Sequence, residues 1–96
     1  EPQANAAAWA ATDAVIEARD PLCRGVVLLG LDAPQAELEA GFKAAKHART
    51  VKGFAVGRTI FADAAQAWLD GRISDAEAVA DMASRFGALV EIWEGA

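Results

Sequence analysis

Residues 25–30 read GVVLLG and residues 53–57 read GFAVG, and these two short apolar stretches decide the fold of the chain. The first stretch has no polar side chain and is rich in β-branched residues, which is typical of a strand buried on both faces of a parallel sheet. The second begins 28 residues after the first, which is the length of one βαβ unit with a right-handed crossover. The sequence therefore predicts an α/β fold with two neighbouring parallel strands.

Helices are predicted around these strands at about residues 2–19, 34–48, 59–69 and 75–94. Alanine, the strongest helix former, accounts for 25 of the 96 residues. Pro2 suits a first helical turn, and Asp20 before Pro21 ends the first helix because a residue preceding proline is pushed out of the α region. The predicted order of elements is α-β-α-β-α-α.

Caps and apolar stripes define the second and fourth helices. Asp32 is expected to cap the second helix, with Pro34 in its first turn. Ser74 and Glu77 form a capping box at the start of the fourth. The second helix is expected to bury Leu38, Phe42 and Ala45. Spacings of three or four residues predict a buried face on the fourth helix made of Val79, Met82, Phe86, Val90 and Trp93.

Composition limits the size of the core and the classes of partner. The chain has a mass of 10.0 kDa and a net charge of −5, and 52 residues are hydrophobic, of which 27 are larger than alanine. An excess of acidic residues argues against nonspecific nucleic-acid binding. No apolar run approaches ~18 residues, so no membrane span is expected. The single Cys23 permits no internal disulfide, which favours a reducing, cytoplasmic location.

Two parallel strands cannot form a complete sheet. All-parallel sheets are covered by helices on both faces, and a typical sheet has ~5–6 strands. The chain is therefore predicted to be part of a larger parallel sheet or barrel. Either a longer polypeptide or other copies of the chain would supply the missing strands.

The loops after the two strands hold the candidate binding residues, because ligands collect at the carboxyl ends of parallel strands. Glycine lets a backbone N–H approach a ligand closely, a helix beginning after residue 57 points free N–H groups at the same place, and arginine offers a fork of donors for phosphate. The residues predicted on these grounds to bind phosphate are Gly30, Gly57, Arg58 and Thr59.

For each of these residues, a structural explanation that involves no phosphate also stays open. Both glycines could serve only tight turns, Arg58 could pair with a surface carboxylate, and Thr59 could cap the following helix. Asp32 could be a catalytic carboxylate, although its role as a helix cap is favoured.

Other candidate residues are better explained by structure than by chemistry. A basic cluster before the second strand is interpreted as a solvated helix C-terminus. His47 has no second His or Cys partner, so no metal site is predicted, and no cofactor is expected. Cys23 is expected to fill a small buried or interfacial position. The basic cluster consists of Lys43, Lys46, His47, Arg49 and Lys52, and the tryptophans expected to serve packing are Trp9, Trp68 and Trp93.

The segments VVLLGLDAP (residues 26–34) and VKGFAVGRTIF (residues 51–61) resemble a bacterial domain of unassigned function. That domain is often fused behind a 5-dehydro-2-deoxygluconokinase of myo-inositol catabolism and is similar to class I tagatose-bisphosphate aldolases, which are (βα)₈ TIM barrels. The likeness covers nearly all of the chain. It implies that residues 1–96 are the C-terminal portion of a barrel, incomplete as a domain, running from the end of strand six through helix six, strand seven, helix seven, strand eight, a short helix and helix eight.

The resemblance also implies a ligand and a limit on activity. The aldolases hold a substrate phosphate with the loop after strand seven, which matches Gly30 and Leu31 here. They also use a Gly-Arg segment, which matches Gly57 and Arg58. They carry a Ser-Ala-Gly type of loop after strand seven, whereas this chain has GLD at residues 30–32.

The Schiff-base lysine of the aldolases would lie upstream of Glu1, so this chain alone is not expected to cleave an aldol. The implied partners are a phosphorylated sugar or sugar acid and the rest of a parent chain. The alternative is a non-catalytic scaffold or self-association module.

Overall fold

The computed structural model describes residues 3–95, so the predicted role of Pro2 lies outside the described residues. The elements follow the predicted order α-β-α-β-α-α, which is confirmed. They are α1 (Ala6–Arg19), β1 (Val26–Leu29), α2 (Gln35–Ala45), β2 (Val51–Ala55), α3 (Arg58–Leu69) and α4 (Asp75–Gly95). Among these residues, no helix combines the length and the apolar character needed to cross a membrane.

The two strands pair in parallel, as predicted. Leu28 lies opposite Phe54 and Leu29 opposite Ala55. The second strand begins at Val51, two residues earlier than the sequence suggests, and ends at Ala55. The pairing starts early because the N–H of Val26 donates to the carbonyl of Thr50 at 2.8 Å.

The prediction that β1 is buried on both faces is wrong for the described residues. Leu28 is fully buried, whereas Val27 and Leu29 are 52% and 44% exposed. Successive strand residues point to opposite faces, and within residues 3–95 only the face carrying Leu28 is covered, by α2 and α4. The described residues span 51 × 23 × 18 Å, an elongated arrangement that leaves the other face of the sheet open.

Phe42 lies at the centre of the core. Its ring stacks on Phe54 at 4.8 Å and meets Trp93 edge-on at 5.4 Å, the two arrangements that aromatic rings prefer. Leu38 and Ala45 are fully buried beside it, so the predicted stripe of α2 is confirmed. Trp93 serves packing, as expected.

Of the two predicted helix N-caps, only the one at the start of α4 is confirmed. Ser74 and Glu77 form the capping box of α4: Ser Oγ accepts from the Glu N–H at 3.1 Å, and the carboxylate accepts from the Ser N–H at 3.3 Å. For α1 the cap is Asn5, whose side chain accepts from two backbone N–H groups. The cap of α2 is Pro34, without a side-chain hydrogen bond, so the prediction that Asp32 caps α2 is wrong.

The buried face of α4 differs from the predicted one. Ala78 and Leu89 are buried, whereas Val79 and Phe86 are 62% and 51% exposed. Met82, Val90 and Trp93 are half-buried, and Trp93 packs against the core, so the prediction is confirmed for these three residues and wrong for Val79 and Phe86. This happens because α4 packs against α3 as well as α2, and the contact with α3 involves small residues such as Ala64, which is also buried.

A buried carboxylate that sequence reasoning did not single out fastens α1 to the start of β2. Asp13 is 2% exposed. Its carboxylate accepts from the N–H of Arg49 at 2.8 Å, from the N–H of Thr50 at 3.2 Å and from the hydroxyl of Thr50. These hydrogen bonds, above all the one from the Thr50 hydroxyl, lower the pKa of Asp13 against the opposing effect of burial.

Candidate functional site

A cleft of about 270 Å³ opens where the loops after β1 and β2 meet α3 and α4. This is the carboxyl end of the parallel pair, where α/β proteins bind ligands. The ionisable side chains that line it are Asp32, Arg58, Asp63 and Arg85. The cleft therefore places two guanidinium groups beside two carboxylates.

Arg58 and Thr59 are the two predicted site residues that line the cleft. They open α3, whose N-cap is Gly57 and which has no side-chain cap. Within residues 3–95, no carboxylate lies at ion-pair distance from Arg58, so the alternative of a surface ion pair is not observed. The helix N-terminus and the guanidinium together favour a negatively charged ligand.

Thr59 joins the two loops instead of capping its helix. Its hydroxyl donates to the carbonyl of Ala33 in the loop after β1, at 2.9 Å. The hydroxyl oxygen keeps its capacity to accept. The bond fixes the distance between the two loops, and so the width of the cleft.

The three other predicted residues adjoin the cleft without lining it. Gly30 is buried, and a Cβ placed there would lie 3.1 and 3.2 Å from the two methyl groups of Val56. Gly57 is crowded by the Phe61 ring, 3.1 Å from an added Cβ. Leu31 is 57% exposed. For Gly30, tight packing is thus a sufficient reason for glycine.

Arg85 and Asp63 belong to the cleft but were missed by sequence reasoning. Arg85, on α4, donates through Nε to Asp81 at 2.9 Å and through Nη1 to Asp63, on α3, at 3.0 Å. Burial lowers the pKa of Arg85, but the two carboxylates outweigh burial, and the pKa is raised. The spacing of four residues between Asp81 and Arg85 is typical of an ion pair within one helix. The contact of Arg85 with Asp63, in contrast, depends on how α3 packs on α4.

Asp32 lines the cleft in an unusual backbone conformation. Leu31 and Asp32 have φ values of 50° and 63°, a left-handed conformation that is uncommon outside glycine and that Asp and Asn tolerate best. No hydrogen bond to the Asp32 carboxylate is present among the described residues. A free carboxylate thus stands on the cleft wall.

The basic cluster makes contacts within the chain and is only in part the solvated helix C-terminus that the sequence predicts, because Arg49 and Lys52 lie beyond the end of α2. Lys43 pairs with Glu39 at 2.9 Å. Lys46 donates to the carbonyl of Trp93 and lies 4.9 Å from the centre of its ring. Arg49 and Lys52 are also engaged, the first with both carboxylate oxygens of Glu17 and the second with the Arg49 carbonyl, while His47 is exposed.

The remaining candidates add no second site. Cys23 is a half-buried free thiol. Trp68 is 48% exposed and donates through Nε1 to Asp75 at 2.7 Å, so it supports the turn between α3 and α4. In residues 3–95, no three His, Cys, Asp or Glu side chains are grouped so that they could hold a metal ion.

Comparison with known proteins finds one family. The sequence matches, over residues 1–96, a family described as "Uncharacterized protein conserved in bacteria (DUF2090)". No curated protein and no solved structure matches significantly.

Proposed function

We propose a function for this chain, which belongs to the DUF2090 family of uncharacterized bacterial proteins: it is the C-terminal portion of a (βα)₈ barrel and binds the phosphate of a phosphorylated sugar or sugar acid. The observation that carries the proposal is Arg58. Its guanidinium has no carboxylate partner among the described residues and stands at the uncapped start of α3, on the cleft wall. A phosphate there would meet backbone N–H groups and a fork of donors together.

The open face of the sheet supports the barrel. Val27 and Leu29 project from β1 and are about half exposed, opposite the face covered by helices. In a (βα)₈ barrel, helices cover the outer face and layers of branched apolar side chains fill the interior. Further parallel strands of a parent chain would bury these two side chains and pair with the free strand edges.

Under this proposal, the chain binds the phosphate group of the substrate, and a lysine elsewhere in the parent protein serves the cleavage of the carbon–carbon bond. A class I aldol cleavage needs a lysine amine to form the iminium. The lysines of this sequence are Lys43, Lys46 and Lys52, and none lines the cleft. Under this proposal a kinase domain phosphorylates 5-dehydro-2-deoxygluconate, and the barrel cleaves the product with a lysine from another strand.

Calorimetric titration of the full-length protein with inorganic phosphate and 6-phosphogluconate tests the phosphate site. Arg58→Ala is expected to raise both dissociation constants by about tenfold to a hundredfold, because a charge-assisted hydrogen bond is lost. Arg19→Ala is the matched control: Arg19 is exposed, lies at the end of α1 and makes no ion pair among residues 3–95. Equal affinities for Arg58→Ala and the unmodified protein would refute the site.

The exposed residues of β1 also favour a second candidate, a non-catalytic module that self-associates. Unpaired strand edges and an apolar face are the features by which sheets join between molecules. Light scattering decides between the candidates. A stable monomer that binds phosphate would eliminate self-association, whereas a dimer without phosphate affinity would favour it.

A further inference from the structure

We propose that the cleft selects a phosphate group flanked by hydroxyl groups, with Arg85 as a second cationic arm and Asp32 as the acceptor of the neighbouring hydroxyl. This inference rests on the proposed phosphate site at Arg58. It extends that site to α4 and to the loop after β1, and it names the part of the ligand next to the phosphate.

Two carboxylates hold Arg85 on the wall of the cleft. Asp81 holds its Nε and Asp63 holds its Nη1, so the planar guanidinium is fixed at two points. Its Nη2 has no partner among the described residues, and the side chain is 41% exposed. A fixed guanidinium loses little freedom when it binds a phosphate oxygen.

Asp32 supplies a different chemistry on the same cleft. A carboxylate only accepts hydrogen bonds, so it repels a phosphate and attracts a hydroxyl. Asp32 is exposed, has no hydrogen-bond partner within residues 3–95 and lines the cleft from a left-handed backbone position. The other carboxylate on the wall, Asp63, is paired with Arg85.

The volume and the charges restrict the class of ligand. About 270 Å³ is less than the ~300–1,000 Å³ of a pocket for a drug-sized molecule, so the cleft fits a phosphate with a short carbon fragment. The free carboxylate of Asp32 disfavours a second acidic group beside the phosphate, since like charges at close range repel. The expected fragment is therefore a hydroxylated carbon chain and not a carboxylate.

Three small probes separate these features in the full-length protein: methyl phosphate, glycerol 3-phosphate and phosphoglycolate. The unmodified protein is expected to bind glycerol 3-phosphate about tenfold more tightly than methyl phosphate, and phosphoglycolate most weakly. Asp32→Asn preserves the shape and tolerates the same backbone conformation. It keeps an acceptor oxygen but loses the negative charge, so it is expected to reduce the preference for glycerol 3-phosphate to about two- to threefold and to improve binding of phosphoglycolate.

Arg85→Met is expected to weaken all three probes by about tenfold, because the lost group contacts the phosphate they share. Circular dichroism checks that α3 and α4 stay folded. If Arg85→Met does not fold, Arg85→Lys, which keeps the charge and loses the fork, is expected to weaken the three probes by roughly threefold.

The outcomes distinguish this inference from the phosphate site on which it rests. If Arg58→Ala weakens methyl phosphate while Arg85→Met or Arg85→Lys leaves it unchanged, Arg85 only clamps α3 to α4 and the inference is wrong. A preference for glycerol 3-phosphate that stays at about tenfold in Asp32→Asn also overturns it. Failure of the unmodified protein to bind methyl phosphate would refute the phosphate site itself.

Discussion

Replacing Asp13 with asparagine is expected to destabilise the protein strongly, although the two side chains have the same shape. One carboxylate oxygen of Asp13 accepts from both the N–H and the hydroxyl of Thr50, and the other accepts from the N–H of Arg49. An amide has a single acceptor oxygen, so its NH₂ group must face one of these donors. Losing a charged hydrogen bond and leaving a buried donor unpaired costs about 3 kcal/mol. For a domain of this size that corresponds to a fall in Tm of roughly 10–25 °C.

The destabilisation caused by Asp13→Asn is expected to be smaller at low pH than at neutral pH. The hydroxyl of Thr50 contributes most to lowering the pKa of Asp13; burial opposes it, and the two backbone N–H groups and the charge of Arg49 add to the lowering. A lowered pKa means that the stabilisation is complete above the unfolded value of about 3.9 and is lost as the pH falls through the folded value. The difference between the protein and its Asp13→Asn variant is therefore full at neutral pH and shrinks below about pH 4.

Urea unfolding followed by circular dichroism between about pH 3 and pH 7 measures both parts of this prediction. Thr50→Val replaces the hydroxyl by a methyl group and is expected to cost about 1.5–3 kcal/mol, because a hydrogen bond to a charged group is lost. Glu91→Gln makes the same change of charge at an exposed position of α4, and its effect should stay within about 0.5 kcal/mol. A loss below 0.5 kcal/mol for Asp13→Asn, or a larger loss with no dependence on pH, would refute the reasoning.

Two further predictions concern stability and are measured by thermal unfolding. Ser74→Ala removes the cap of α4 and should cost about 1 kcal/mol; no change in Tm would mean that the capping box contributes nothing in solution. Gly30→Ala should cost about 1 kcal/mol because the added methyl group crowds both methyl groups of Val56. Gly87→Ala should instead raise stability by about 0.5–1 kcal/mol, since it lies inside α4 and an added Cβ meets nothing within 4 Å. Shifts of the same sign for the two glycines would contradict this explanation.

Periodicity predicts a buried face well when large apolar side chains fill the contact. Helix α2 lies on the sheet, and its predicted residues Leu38 and Phe42 are fully buried. Helix α4 contacts both α2 and α3, and the contact with α3 turns Ala78 inward and leaves Val79 exposed. Small residues such as Ala78 carry little weight in a hydrophobic pattern, although they allow the closest approach of two helices.

The sequence predicts where along the chain the candidate site lies, but not all of the side chains that line it. The ends of two parallel strands are readable from short apolar stretches, and they lead to Arg58 and Thr59. The pairing of Arg85 with Asp63 could not be predicted, because it joins residues 22 positions apart on different helices. The prediction that Asp32 caps α2 is wrong because the N-cap is Pro34, which leaves the carboxylate free.

The two ends of α4 are stabilised by interactions of different range, which gives its formation a direction. Ser74 and Glu77 cap the amino end from within four consecutive residues, so this end can form as soon as the chain locally assumes a turn. The last turn of α4 has no basic residue of its own. The cation at its carboxyl end is Lys46, 47 positions before Trp93, and it arrives only when α2 docks. During folding, α4 should therefore grow from its amino end, and a peptide of residues 74–95 should fray at the opposite end.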